Sequence, residues 1–258
     1  MLLVACCSFT LSAYQRPPPP ARPRLAAVRA SVAACTDERP AADTSGLPEG
    51  IDFRVASRNE LDLVARLQLD VFVPFPEKPV LLPVLSGLFE ANQRSVRVGM
   101  RRRLCDDIGT RVDKGSDIIV AAVPAAQVPP PPDSGGLDGS YSESDVRLLG
   151  TVDISVQEMD LPTHSLSEGL YLSHMAVDPA FRRQGVGVRL LAAADDAARA
   201  RRAKGIYLHV ERSNAGARAL YEQCGYVQLP ENAVNLGFTT ALKVQHRDVV
   251  LLYKEVDG

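Results

Sequence analysis

The sequence predicts a mixed α/β fold, a single domain in which one sheet with both strand directions is layered with helices. Three observations predict it. Short apolar or alternating runs recur at residues 51–56, 117–123, 146–157, 170–177, 206–210 and 249–253, each of strand length. Longer stretches with helical spacing separate them, in the order β, α, α, β, β, β, α, β, α, β and a terminal β. The chain has 258 residues, 46% apolar and 23% charged, enough to bury a core.

Residues 51–56 alternate apolar and polar side chains. Ser57 and Glu60 then form a capping-box pattern opening a helix with Leu61, Val64, Leu67 and Leu69 as its stripe. Prolines at 74, 76, 79 and 83 interrupt the chain, and residues 85 to about 103 read as a second helix. The run Arg101–Arg103 reads as a solvated helix face balanced by Asp106 and Asp107. Residues 125–145 hold consecutive prolines, Gly135-Gly136 and several acids, the composition of a solvated loop insertion. An Ala-rich helix at 185–204, a strand at 206–210 and a helix at 214–224, closed by Gly225, complete the domain, assigned to 51–258.

The first 36 residues contain no acid and four arginines, Arg16, Arg22, Arg24 and Arg29. That is the composition of a transit peptide. The proline run 17–20 breaks the amphipathic helix a mitochondrial signal needs, so residues 1–30 read as a plastid transit peptide, with the mitochondrion as the alternative. Cleavage is expected near Ser31, and residues 31–50 form a linker. The apolar run 2–13 is too short to span a bilayer. A net charge of -2 offers no electrostatic argument for nucleic acid. Five cysteines without a CxxC or a His/Cys cluster at ligand spacing exclude a zinc framework, and no metal is expected.

The chemistry concentrates in two segments. Tyr171-Leu-Ser-His-Met-Ala-Val-Asp-Pro-Ala-Phe-Arg-Arg-Gln-Gly-Val-Gly187 carries a strand into a turn and then a Gly-x-Gly opening a helix. Backbone N–H groups there can approach a pyrophosphate, and a helix N-terminus favours negative charge. Asn214-Ala-Gly-Ala-Arg-Ala-Leu-Tyr221-Glu-Gln-Cys-Gly225-Tyr226 follows. Its Asn214 and Tyr221 lie two turns apart on one helix face, about 10 Å along the axis.

Arg182-x-x-Gly185-x-Gly187 resembles the Gln/Arg-x-x-Gly-x-Gly/Ala signature of GNAT acetyltransferases, and the Asn214–Tyr226 segment resembles that family's second hallmark. The resemblance implies a GNAT fold and acetyl-CoA as co-substrate. It implies that the backbone of Met175, Ala176 and Val177 pairs with pantetheine where two parallel strands splay. Arg182, Arg183, Gln184, Gly185, Val186, Gly187 and Val188 would cradle the pyrophosphate. Asn214, Ala215 and Gly216 would contact the cofactor's arm, and Tyr221 would protonate the leaving thiolate. Packing with Ala217, Leu220 and Cys224 is the other role open to Tyr221.

Histone-type members carry a glutamate where Tyr171 stands. Tyr171-Leu-Ser-His-Met and Ile206-Tyr-Leu-His209-Val-Glu-Arg-Ser-Asn214 instead resemble the NatE type of N-terminal acetyltransferase, which implies that Tyr171 and His209 deprotonate an amine through water. A hydrogen-bonded core histidine is the alternative for His209. His174, expected on the opposite strand face from Tyr171, is the weaker candidate. An α-amine with a pKa near 8 costs about 3 kcal/mol less to present neutral than a lysine near 10.4, so a site without that carboxylate suits N-termini. The layout resembles plastid GNAT enzymes acting on N-termini and lysines of proteins. A small-molecule amine acetyltransferase and a non-catalytic acetyl-CoA-binding regulator are the alternatives.

Overall fold

A computed structural model of the chain describes residues 48–73, 83–128, 145–156, 169–229 and 248–256. The proposed transit peptide, residues 31–47 of the linker, most of the 125–145 insertion and the 230–247 segment lie outside them.

The elements are β1 (Asp52–Val55), α1 (Leu61–Phe72), α2 (Pro83–Asp113), β2 (Asp117–Pro124), β3 (Val146–Val156), β4 (Gly169–Val177), α3 (Val186–Ala200), β5 (Gly205–Glu211), α4 (Ala215–Gln223), β6 (Val227–Gln228) and β7 (Val249–Glu255). The seven strands form one sheet in the order β1-β2-β3-β4-β5-β7-β6. Neighbours are antiparallel except β4 and β5, which are parallel. Mixed directions in one sheet agree with the sequence expectation.

Each face of the sheet buries its own helices. On one face Leu190, Leu191, Ala194 and Ala197 of α3 and Tyr221 of α4 pack on Ile119, Ile154, Leu172, Leu208 and Leu252. On the other, Val64 and Ala65 of α1 and Ile108 of α2 pack on Ile118, Val120 and Leu148. Each large aliphatic side chain buried this way contributes about 1.5–3 kcal/mol.

The capping box at Ser57 opens a single 3-10 turn, Arg58–Glu60, before α1 begins. Glu60 accepts from the Ser57 amide at 2.7 Å, from the Ser57 hydroxyl at 2.7 Å and from Arg54 Nη1 at 2.7 Å. The Arg54 hydrogen bond chiefly holds its carboxyl at about 2, below the usual carboxylate range.

α2 extends well past residue 103, where the sequence reading ended it. Leu104, Ile108 and Val112 recur every fourth residue and face α1 and β2, and this burial carries the helix through Gly109. Arg101 is not simply solvated, since its Nε lies 3.3 Å from Asp62 on α1. Arg102 and Arg103 are exposed.

Between α1, α2 and the sheet lies Asp153, 2% exposed. It receives Arg111 from α2, and Gln68 Nε2 from α1 at 3.3 Å. Asp153→Ala would leave Arg111 only its outer partner Asp107, 3.2 Å from Nε, and strip Gln68 of its buried acceptor, so a loss of about 3 kcal/mol is expected in urea unfolding. Asp62→Ala, which removes only the outer pair with Arg101, should cost under about 1 kcal/mol in the same assay.

Candidate active site

β4 and β5 pair through only three positions, Gly169 with Gly205, Leu170 with Ile206 and Tyr171 with Tyr207. Past Tyr171 the two strands continue without a shared ladder, β4 held by β3 and β5 by β7. The register of β3 against β4 shifts between Thr151 and Asp153, opposite Ser173 to Ala176, and His174 takes φ 50°. A bulge of this kind bends and twists its strand, and β4 turns away from β5 around it. The backbone of Met175, Ala176 and Val177 therefore edges a cleft rather than a filled ladder with β5.

At the far end of β4 the chain turns at Asp178-Pro179. The Asp178 carboxylate accepts from the Ala180 amide at 2.9 Å and from Arg147 Nη2 at 3.0 Å. Arg182 Nε donates back to the Val177 carbonyl at 3.2 Å, and Gln184 Nε2 to the Ala180 carbonyl at 3.0 Å. Arg182 and Gln184 thus spend those donors on shaping the loop. Arg183 has φ 65° and Gly185 φ 86°, and Gly185 caps α3 without any side-chain hydrogen bond. The first amides of α3, at Val186, Gly187 and Val188, have no intrahelical acceptor. An uncapped helix N-terminus reached through a left-handed glycine fits a diphosphate. Gly187 also answers to packing, because a Cβ there would sit 3.1 Å from Leu220 and 3.3 Å from Met175 Cε.

Asn214 is the N-cap of α4, its Oδ1 accepting from the Ala217 amide at 3.1 Å. Ala215 and Gly216 form the exposed first turn. Two turns on, Tyr221 is 7% exposed. Its phenol donates to Met175 Sδ across the cleft at 3.6 Å, and its ring meets Tyr226 edge-on at 5.7 Å. Burial raises the Tyr221 phenol to about 12, so it carries its proton at neutral pH. Packing and a reactive position thus coincide in this residue.

Tyr171 and His209 come together on the α1/α2 face, at the foot of the cleft. The Tyr171 hydroxyl lies 3.0 Å from His209 Nδ1, with ring centroids 5.8 Å apart. Burial raises the phenol well above its ordinary value and lowers the imidazole to about 4. Both are neutral at pH 7.

His174 departs from the sequence expectation. Strict alternation puts it on the face opposite Tyr171, but the bulge breaks the period of two. His174 Nδ1 lies 2.8 Å from Arg111 Nη1, 3.0 Å from Ser173 Oγ and 3.4 Å from Asp153, on the α1/α2 side with Tyr171. Asp153, Arg111 and Gln68 went unnoticed in the sequence. Their one signal was the single acid, Asp153, in a mostly apolar strand. Among the described residues no group of three His, Cys, Asp or Glu side chains is placed to hold a metal ion, and no helix is long and apolar enough to cross a membrane.

The His209 shift has a sign that can be checked. Between about 4 and 6.5 the unfolded chain binds the proton and the folded one does not, so folding stability rises with pH. Stability should be full above 6.5 and fall by up to about 3 kcal/mol as the pH drops to 4. Melting temperature against pH measures it, and His209→Asn should flatten that part of the curve.

The model of the Acetyltransferase (GNAT) family matches residues 137–226, a segment that includes both motifs. No curated protein sequence matches the chain. Among solved structures, an acetyltransferase of the GNAT family from Staphylococcus aureus aligns at 14% identity over 81% of this chain and 100% of its own, TM-score 0.49. A PaiA N-acetyltransferase from Thermoplasma acidophilum, in complex with coenzyme A, aligns at 12% identity over 80% and 99%, TM-score 0.47. A ribosomal-protein-alanine N-acetyltransferase from Brucella melitensis aligns at 15% identity over 79% and 99%, TM-score 0.45. The family match spans the splayed strand, the glycine turn and the Asn–Tyr helix, so the segment from 137 to 226 is similar to the GNAT acetyltransferase family.

Proposed function

We propose that this chain is a GNAT acetyltransferase with acetyl-CoA as its donor, that it acetylates protein amines, N-terminal α-amines and also lysine side chains, and that it works in the plastid stroma. The observation that carries the substrate reading is the Tyr171–His209 contact at 3.0 Å, which stands at the foot of the cleft where histone-type members place a glutamate. Two neutral groups suit an acceptor that reaches them with little deprotonation left to do, and an α-amine near pKa 8 is such an acceptor.

In this reading the free edge of β4 at Met175, Ala176 and Val177 holds the pantetheine by backbone hydrogen bonds. Arg183, Gly185, Val186, Gly187 and Val188 take the diphosphate, with Arg182 and Gln184 shaping the loop. Asn214, Ala215 and Gly216 border the arm. Acetyl-CoA supplies an acetyl thioester. The amine nitrogen bonds to the acetyl carbon as the C–S bond breaks, and Tyr221 gives its proton to the sulfur. The proton that the nitrogen loses leaves through a water oriented by Tyr171 and His209. With its conjugate acid at about 4, His209 orients and relays the proton but does not store it.

Acetyl transfer from the full chain to a peptide library, read by mass spectrometry, tests the acceptor class; modification of small amines alone would overturn it. Tyr221→Phe should lower kcat about 10²-fold with acetyl-CoA affinity nearly unchanged. The acid limb of kcat/KM for a free N-terminus should follow the amine near 8, and a limb at the histidine's own titration would contradict the relay role.

The location rests on the acid-free, arginine-bearing residues 1–30. A reporter fused to them should enter plastids, and its retention in the cytosol would remove that part of the proposal.

A further inference from the structure

Within β4 the two faces of the strand change places. Leu170 and Leu172 pack into the core under α3 and α4, and so do Met175 and Val177. Strict alternation would send the second pair to the other face. One extra residue makes the exchange. Thr151 pairs with Ala176 and Asp153 with Ser173, so Val152 alone stands across from both His174 and Met175. Without the bulge Met175 would turn toward α1 and α2. It would then lose Tyr221, whose phenol its sulfur accepts at 3.6 Å.

A bulge with a left-handed residue ordinarily uses glycine. β4 has His174 there, at φ 50°. Arg183 and Arg202 also have positive φ among the described residues, but His174 is the one inside a strand. A Cβ is strained in that conformation, and such a residue persists where its surroundings hold it. The hold is polar and comes from β3 and α2. Arg111 Nη1 donates to His174 Nδ1 at 2.8 Å, and the Asp153 carboxylate lies 3.4 Å from the same nitrogen. Arg111 also donates to Asp153, which is 2% exposed, so one guanidinium grips both strands of the bulge. The His174 side chain is 41% exposed. Apolar packing therefore does little to fix it.

We infer that His174 is a positioning residue for the thioester donor: clamped by Arg111 and Asp153, it keeps β4 bulged, and the bulge turns the Met175–Val177 edge and the Met175 side chain into the cleft. The inference rests on reading that edge as the pantetheine site. The clamp reaches the edge from α2, on the sheet face opposite α3 and α4. A helix on the Tyr171–His209 side thereby sets the shape of the donor side. A donor that needs the bulged strand binds in proportion to the fraction of molecules that keep it. Alanine at 174 would retain the strain and lose the clamp, whereas glycine would lose both together.

The test is calorimetry on the full chain with two ligands, at a temperature where parent and variants are all folded. One is acetyl-CoA. The other is 3′-phospho-ADP, the nucleotide and diphosphate without the pantetheine arm. His174→Ala should weaken acetyl-CoA about three- to tenfold and leave 3′-phospho-ADP unchanged. His174→Gly should recover most of that loss, because glycine takes the left-handed φ freely. Equal losses in the alanine and glycine variants would assign the effect to the imidazole's contacts instead of the bulged backbone, and would overturn the inference. Unchanged acetyl-CoA binding in His174→Ala would overturn it too, as would a parallel loss of both ligands that tracks a lowered melting temperature. A parent chain that binds neither ligand overturns the acetyl-CoA reading itself, and this inference with it.

Discussion

β4 hydrogen-bonds to β5 through three residue pairs and then leaves it, and the active face is built around that departure. A strand that stops pairing exposes backbone N–H and C=O groups that must find partners. Here the side of β4 at Met175 to Val177 that faces away from β3 has no strand partner among the described residues, and an extended ligand could complete it. The bulge opposite Thr151 and Asp153 turns the strand. The cluster of Asp153, Arg111, His174 and Gln68 ties the bulge to α1 and α2. A left-handed φ is costly for a residue with a side chain, and His174 holds it with three polar neighbours around its ring. Positioning of the cleft is thus paid for in buried electrostatics rather than in apolar packing.

Burial sets the protonation states of the groups that face the cleft. It raises the phenols of Tyr171 and Tyr221 and lowers the imidazole of His209. All three are neutral near pH 7, so the cleft holds proton donors and acceptors without fixed charge. A neutral phenol can protonate a departing thiolate, whereas a neutral, weakly basic imidazole can only pass a proton onward. In the proposed reaction this division gives Tyr221 and the Tyr171–His209 pair different work, and the separation of their elements, α4 against β4 and β5, puts them on opposite sides of the splay.

Much of this was legible in the residues. The strand positions, the helix at 185–204, the Gly-x-Gly turn and the spacing of Asn214 and Tyr221 all rest on local patterns: period two, period 3.6, a cap, a left-handed glycine. Local patterns failed in two places. α2 outran its predicted end because the stripe Leu104, Ile108, Val112 is stabilised by contact with α1 and β2, which a window centred on charged residues underweights. His174 changed faces because a bulge depends on the partner strand's register, and no single-strand period contains that information.

By itself the sequence determined the fold class, the glycine turn before α3 and the tyrosine two turns into α4, because each depends on residues near one another in the chain. Tertiary structure decided what happens between distant segments. It brought Tyr171 and His209, 38 residues apart, to 3.0 Å, and set Tyr221 against Met175, 46 residues apart. It also made Asp153 the hub of two helices. Those outcomes depend on strand register and on where a parallel pair stops pairing, quantities fixed by the packing of the whole sheet.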